Sequence, residues 1–344
     1  MNVNKAALLR VVAALTVVFV FTGGLHQFRS GVRSAPDFPC DSKAIDEVSV
    51  EIAKGETGSD IALKLFDAGV VKSSSSFFRL AVSDKSSSMI APGAHILNKE
   101  ICAEQALDQL LDPKRIAGLI SIVEGAWNSE VFKLMNESGF LQADISKAVR
   151  EIALPNGFKE LEGLLFPAQY SFAKGTTAKE ALLSMVTRAE SELSKSGITG
   201  QSGKYSSQDL LIMASIIQAE GNTQDFTKIS RVIRNRLEKG MPLQMDSTVH
   251  YVKKARGKIF LSTQSTLLRS DYNTYRKYGL PPGPIGNPGF DALFAAANPA
   301  VGDWIYFITV APGDTRFTAS NDQFSAWKIE YKKNLSAGLF GSSK

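Results

Sequence analysis

LLIMASIIQAEGNTQDF, residues 210–226, is the stretch on which the reading of the fold turns. Between Leu210 and Ala219 only Ser215 and Gln218 are polar; then come one carboxylate, Glu220, and Gly221. Leu210, Leu211, Ala214 and Ile217 form an apolar face, and Met213 and Ile216 widen it toward burial on every side. Ser206 or Ser207 can cap the start, with Ser206 and Asp209 at capping-box spacing, so the pattern predicts a helix from about Gln208 through Ala219. A helix of this kind lies inside a domain. An acid in its last turn meets the negative end of the helix dipole, at a cost of a few tenths to about 1 kcal/mol. Burial and the dipole both push such a carboxyl's pKa upward, and nothing in the local sequence stabilises its charge. A carboxyl held protonated near neutral pH is what a general acid requires. The plainer reading of Glu220 is an exposed residue at a helix end, and this helix alone does not choose between the two.

The 344-residue chain has room for two or three domains, and 44% hydrophobic with 21% charged residues is ordinary for a globular protein. A net charge of +5 would suit an anionic partner, but the charges form no long basic block, and no nucleic-acid partner is expected. Residues 1–10 read as a short cytoplasmic tail and residues 11–27 as a single transmembrane anchor, with Arg10 snorkelling toward the headgroups. A cleaved signal peptide is the competing reading, although no clear A-x-A site follows. Residues 28–44, rich in Ser, Pro and charge, read as a linker. Cys40 and Cys102 are the only cysteines. They form one bridge in an oxidising compartment or remain two free thiols; sequence leaves both open.

Inside the body a weak repeat runs at an offset of 70 residues. VEIAKGETGSDIALKLFDAGVV from Val50 and ISIVEGAWNSEVFKLMNESGF from Ile120 align Gly55 with Gly125, Ser59 with Ser129, Leu65 with Met135 and Gly69 with Gly139. Each copy reads as a short strand, a Gly turn, a Ser positioned to cap, a helical stripe and a Gly stop. A fainter third version follows LEGLLFPAQYSFAKGTTAKEALLSMV, with Gly175 before a helical pattern. The Gly/Ser-rich segment 194–207 marks a boundary. Beyond it, Ile229, Val232, Ile233 and Leu237 point inward on a second helix, with Arg231, Arg234 and Arg236 outward, and LQMDSTVHY alternates as a strand would. The long Tyr-, Asn- and Pro-rich stretch that follows suits a groove for sugar rings, where aromatic faces meet CH surfaces and polar neighbours bond hydroxyls and acetamides.

ASIIQAE, VIRNRL, GMPLQMDSTVHY, YNTY, GLPPGPIGNPG and YFI, in this order, resemble the YceG-like family, the endolytic murein transglycosylases. LEGLLFPAQYSF and the two Gly-turn-helix units, similar to that family's LysM-like part, fit as well. The resemblance implies an α+β fold with an N-terminal transmembrane helix, LysM-like strand-turn-helix units, and a catalytic domain whose buried helix ends at the catalytic Glu beside a sheet. The expected divisions are a LysM-like subdomain at 45–112, a second repeat unit and connecting region at 113–205, and the catalytic domain at 206–335.

The implied reaction cleaves the β-1,4 bond between N-acetylmuramic acid and N-acetylglucosamine in peptidoglycan glycan strands. The muramyl O6 attacks its own C1 and leaves a 1,6-anhydro end. Glycosidases normally need two carboxylates. Here the nucleophile belongs to the substrate, one acid/base carboxyl suffices, and the attack is intramolecular. Glu220 matches the family's catalytic glutamate. The family often carries E-x-E at this helix end, and here the first acid is Gln218, left as a hydrogen-bond donor to substrate. Gln244, Asp246, Thr248, Tyr251, Tyr272, Asn273, Thr274 and Tyr275 are expected to line or support the groove, each with a plain structural alternative. Asp225 reads as surface. Gly283, Asn287 and Gly289 read as loop-shaping, and of Arg234, Asn235 and Arg236 at least one arginine reads as a structural pairing.

Two positions depart from the family pattern. Ala168-Gln169 stand where Asp-Thr is usual, and Gln323-Phe324 where Glu-His is usual. The resemblance implies no metal and no cofactor. It places the catalytic part outside the cytoplasm on the cell membrane, with penicillin-binding proteins and the elongation machinery as partners. A non-catalytic, membrane-anchored wall-binding scaffold is the alternative.

Overall fold

The computed structural model describes residues 35–41, 46–53, 55–172, 175–199, 204–256 and 262–340. The expected tail and membrane anchor lie outside the described residues, and among these no helix is long and apolar enough to cross a membrane. The chain divides into two compact units, Met1–Ala117 and Gly118–Lys344.

In the first unit the strand β1 (Glu47–Ile52) pairs antiparallel with β2 (Gly93–Asn98), Glu47 opposite Asn98 and Ile52 opposite Gly93. Two helices, α1 (Gly58–Asp67) and α2 (Ser74–Ser83), connect the strands, giving a β-α-α-β order. Strand alternation sends Val50 and Ile52 inward, where they join Leu65, Phe77, Leu97, Leu107 and Leu110 in a closed apolar core. The cap of α1 is Thr57, in a reciprocal box with Asp60; Ser59, expected as the cap, lies inside the helix. A third helix, α3 (Ala103–Leu111), starts at Cys102, whose side chain is committed to a disulfide with Cys40 and makes no cap. Asp37 takes over that task, its Oδ2 accepting from the Ala103 N–H at 3.1 Å. Gln105 Nε2 donates to the Cys40 carbonyl at 2.7 Å, and the Ser73 hydroxyl to that of Pro36. The described part of the stretch expected as linker is thus docked on this unit.

The second unit begins with the same order. β3 (Ile120–Ser121), α4 (Asn128–Glu137), α5 (Gln142–Glu151) and β4 (Gln169–Tyr170) form it, with Ile120 opposite Tyr170. The strand of the faint third repeat is therefore the closing strand of the second copy. After it comes α6 (Ala178–Ser196), capped by Thr177. Next is α7 (Ser207–Glu220), capped by Ser206 with Asp209 as expected. Leu210, Leu211, Met213, Ile216 and Ile217 are all fully buried, each contributing about 1.5–3 kcal/mol relative to exposure.

The neighbours of α7 are helices rather than a sheet: α8 (Phe226–Glu238), α9 (Asp246–Lys253) and α10 (Phe290–Ala297). The hairpin β5 (Tyr306–Ala311) and β6 (Asp314–Thr318) packs on α8 and, with the C-terminal helix α11 (Asn321–Ser336), closes the unit. LQMDSTVHY, read as a strand, is a helix from Asp246 onward. Its alternation is genuine, but Thr248 and Val249 are adjacent and both buried, which a two-faced strand does not allow.

Candidate active site

Glu220 closes α7, and the chain turns sharply at Gly221 into α8. A Cβ there would lie 2.3 Å from Ile229 Cδ1 on the returning helix, so any larger residue makes that side chain shift. The return also buries Asp225, read from sequence as surface. Arg236, expected outward, is buried as well. Its Nε donates to the Ile305 carbonyl and its Nη1 to that of Leu243, both at 2.6 Å. One guanidinium thereby ties the approach to β5 to the loop before α9. Asn235 does similar work, donating to the carbonyls of Gly302 and Trp304, and Arg234 to that of Ala296.

Glu220, Gln244, Asp246 and Tyr275 line one cavity of about 370 Å³, together with Arg236, Leu243, Met245, Phe307, Phe324 and Lys328. The local sequence reading left Glu220 without local support. The fold supplies it from α9: the Ser247 N–H, in the first turn of that helix, donates to Glu220 Oε1 at 3.0 Å. Burial still holds the Glu220 carboxyl above its ordinary pKa, against the pull of Ser247, whose N–H donates to it. The Asp246 charge adds to the rise and Arg236 opposes it. Asp246 is itself held by the Tyr275 hydroxyl. Burial, then that contact, raises the Tyr275 phenol, which stays a donor. Gln244 sits in the left-handed region at φ 52°, an unfavourable conformation for a side chain with a Cβ, and its N–H is pinned to the Thr274 carbonyl at 3.0 Å.

The other expected residues fall into three groups. Thr248, Asn273 and Thr274 are buried and serve the scaffold. Thr248 and Thr274 hydroxyls meet at 3.0 Å, Thr274 Oγ1 accepts from the Met245 N–H, and Asn273 donates to the Thr266 and Leu268 carbonyls. Gln218 lines a neighbouring cavity of about 290 Å³ with Glu124, Trp127, Ser247, His250 and Arg256, and its Oε1 accepts from the Gly289 N–H at 2.9 Å. Tyr251 and Tyr272 do not line the Glu220 cavity and belong to an aromatic cluster in which Tyr251 meets Trp127 edge-on at 5.9 Å and Tyr272 at 5.2 Å.

At the two departures from the family pattern, the Ala168 carbonyl accepts from the Ile122 N–H, and Phe324 stacks on Tyr306 at 4.8 Å in the wall of the Glu220 cavity. Sequence reasoning did not find Glu162. This partly buried carboxyl accepts from the Asn128 N–H at 3.0 Å and from the Tyr251 hydroxyl at 3.1 Å. The signal for it was an acid set against the apolar run LLF.

A carboxyl raised by burial at the end of an apolar helix, opening into a cavity partly walled by aromatic rings, is an arrangement suited to acid/base chemistry. The chain belongs to the YceG-like family, whose sequence model matches residues 50–329. An endolytic murein transglycosylase of Bacillus subtilis (strain 168) is 29% identical over 315 residues, covering 85% of this chain and 87% of the relative. One of Streptococcus pneumoniae serotype 2 is 28% identical over 324 residues, or 83% of this chain and 58% of that longer protein. In structure, the chain is similar to a YceG-like protein of Listeria monocytogenes, with a TM-score of 0.54, 26% identity, and coverage of 81% of this chain and 98% of that one.

Proposed function

We propose that this chain is an endolytic murein transglycosylase, a lyase that cuts the N-acetylmuramic acid–N-acetylglucosamine bond within glycan strands. Family membership and two relatives bearing that name support the activity. The observation that carries the choice of residue is Glu220, whose raised carboxyl opens into a cavity beside the positive end of α9.

In the reaction, protonated Glu220 gives its proton to the glycosidic oxygen as the C1–O4 bond breaks, the bonding pair leaving with O4. The muramyl O6 bonds to C1, and its proton passes to the Glu220 carboxylate, restoring the acid. No water is consumed. Holding O6 against C1 makes the attack intramolecular, so the task of the walls is to orient the sugar. Gln244, Tyr275 and Phe324 are the wall residues placed to do so, while Arg236 shapes the cavity from behind. Deprotonation of Glu220 removes the proton donor, so activity falls on the alkaline side.

The same reading tethers the protein by residues 11–27, holds residues 45–112 and 113–205 as LysM-like and connecting parts, and assigns catalysis to 206–335. The Cys40–Cys102 disulfide supports an extracytoplasmic body. Penicillin-binding proteins and the elongation machinery are the partners this location brings within reach. A second reading has one specific observation in its favour: Asp246 lines the cavity with Glu220, so a hydrolase with two carboxylates is conceivable on geometry.

The test digests purified peptidoglycan with the full-length chain, wild type beside Glu220→Gln, and reads the new ends by mass spectrometry. Anhydro ends from wild type, reduced about 10²–10⁴-fold in the variant, are the expected result. Reducing ends would replace the lyase by the hydrolase, and strand binding without any cleavage would replace both by a scaffold.

A further inference from the structure

Glu162 is a partly buried carboxyl for which the reaction above has no use. It lies between α5 and β4, outside the walls of the Glu220 cavity, and both its oxygens are engaged. The Asn128 N–H, at the start of α4, donates to Oε1, and the Tyr251 hydroxyl donates to Oε2. Tyr251 belongs to α9 and follows Ser247 by four residues, so the two share a face of that helix, one turn apart. Ser247 is the residue whose N–H engages Glu220. One short helix therefore carries the partner of Glu162 at one end and the partner of the catalytic acid at the other.

We propose that Glu162 is a positioning residue for Glu220: by accepting from Tyr251 it fixes α9, and its proton governs how firmly the Ser247 amide is presented to the acid. The inference rests on the lyase reading above. The observed pair of acceptor bonds suits the ionised carboxylate, which only accepts; a proton adds a donor at the junction, and on Oε2 it turns the Tyr251 hydroxyl from donor to acceptor. Burial pushes Glu162 up to about 7, against the Asn128 and Tyr251 hydrogen bonds and the Lys254 charge, while the Glu160 charge adds to the rise. The Tyr272 phenol, packed on the Tyr251 ring, is itself raised by burial and then by Glu160 and Glu162, Glu160 is raised by burial, and the Glu130–Arg256 pair lies beyond Trp127. Lys254 lies over the Tyr251 ring at 4.5 Å. The exchange of this one proton thus falls in the neutral range: above the midpoint Tyr251 donates to a carboxylate in a charge-assisted bond, and below it the contact is with a neutral acid and weaker.

The experiment is the pH profile of kcat/KM for anhydro-end formation by full-length wild type, Glu162→Gln and Tyr251→Phe. Wild type is expected to fall on the acid side through a midpoint near neutrality, by roughly three- to tenfold, the scale of one net hydrogen bond. Both variants are expected to lose that limb and run flat at the low-pH level of wild type, keeping the alkaline limb due to Glu220. An acid limb retained at full amplitude in either variant overturns the proposal, including the case of a uniform loss at every pH, which is what a merely structural role would give. Tyr251→Phe removes one hydroxyl and keeps the ring, so it remains informative if Glu162→Gln does not fold. A second readout does not depend on turnover. The Ser247 amide resonance should titrate with the same neutral midpoint in wild type and not in Tyr251→Phe, and a Ser247 amide indifferent to pH in wild type overturns the coupling. If wild type cleaves nothing while Ser247 titrates, the lyase reading fails and the coupling stands.

Discussion

The two β-α-α-β copies, residues 47–98 and 120–170, start from the same local instructions and end in different states. Gly55 and Gly125 turn the chain at φ 87° and 76°, Gly69 and Gly139 stop the first helix at 73° and 99°, and Leu65 and Met135 fill the two cores. In the first copy the core closes within residues 50–110, and the loops after β1 and before β2 border a cavity of about 340 Å³. In the second, the apolar core continues without a break into α6, α7, α8 and α10. The corresponding loops are filled: Asn287 enters between them, its Oδ1 accepting from the Leu165 N–H and its Nδ2 donating to the Ala126 carbonyl and Asn128 Oδ1. A supersecondary unit that stays a module keeps its groove; one absorbed into a larger core gives its groove to the site next to it.

If that contrast is right, damage to one copy should stay there. The largest effect is expected from replacing Cys40 and Cys102 by Ser, which opens a cross-link spanning 62 residues. Chain entropy sets the loss at up to about 4 kcal/mol. Hydrogen exchange should show it as lost protection in β1, β2 and α3, with α7 amides unchanged; equal loss in α7 would break the comparison. Next comes Asn287→Ala, which strands the buried Leu165 N–H and Asn128 Oδ1, at a cost of about 2–3 kcal/mol. Here protection should fall in the second unit and activity with it, while the first copy keeps its exchange rates. Retained activity with a loosened second unit would mean that Asn287 braces the fold without shaping the site.

The sequence makes some of this difference legible. The repeat offset, the glycine turns and the cap of α7 are local features, set by a few adjacent residues, and they stand where the pattern puts them. The cavity residues Glu220, Gln244, Asp246 and Tyr275 also converge, on the strength of the family resemblance. What could not be read is long-range. Asp225 lies among polar neighbours, and only the return of α8 over Gly221 buries it. Arg236 has the spacing of an outward residue, and its partners are carbonyls of Leu243 and Ile305, one of them far along the chain. The helix α9 alternates like a strand over a few residues, and burial of both Thr248 and Val249 overrides that period. The support for Glu220 comes from the start of this misread helix, so the error in secondary structure and the missed Ser247 contact are one error.

The smallest expected effect tests the comparison at its origin, the cap residue ahead of each copy's leading helix. Thr57 caps α1 with its hydroxyl, and Asp60 returns a bond to the Thr57 N–H at 2.9 Å. Seventy residues on, Trp127 and Glu130 occupy the same places, and Glu130 still accepts from the Trp127 N–H, at 2.7 Å. The hydroxyl half of the box is gone. In its place an indole packs against Tyr251 and under the Arg256 guanidinium, at 4.1 Å from the ring centre. The second copy has given up a cap for an aromatic contact with the helix that holds Ser247. Thr57→Ala should therefore cost about 1 kcal/mol, seen as faster exchange of the first-turn amides of α1 and of nothing in the second unit. Trp127→Ser offers the second copy the same cap and should steady the first turn of α4 while lowering activity, because the ring against Tyr251 is lost. If Trp127→Ser instead leaves turnover intact, the aromatic exchange is an incident of packing, and the two copies differ only in what covers them.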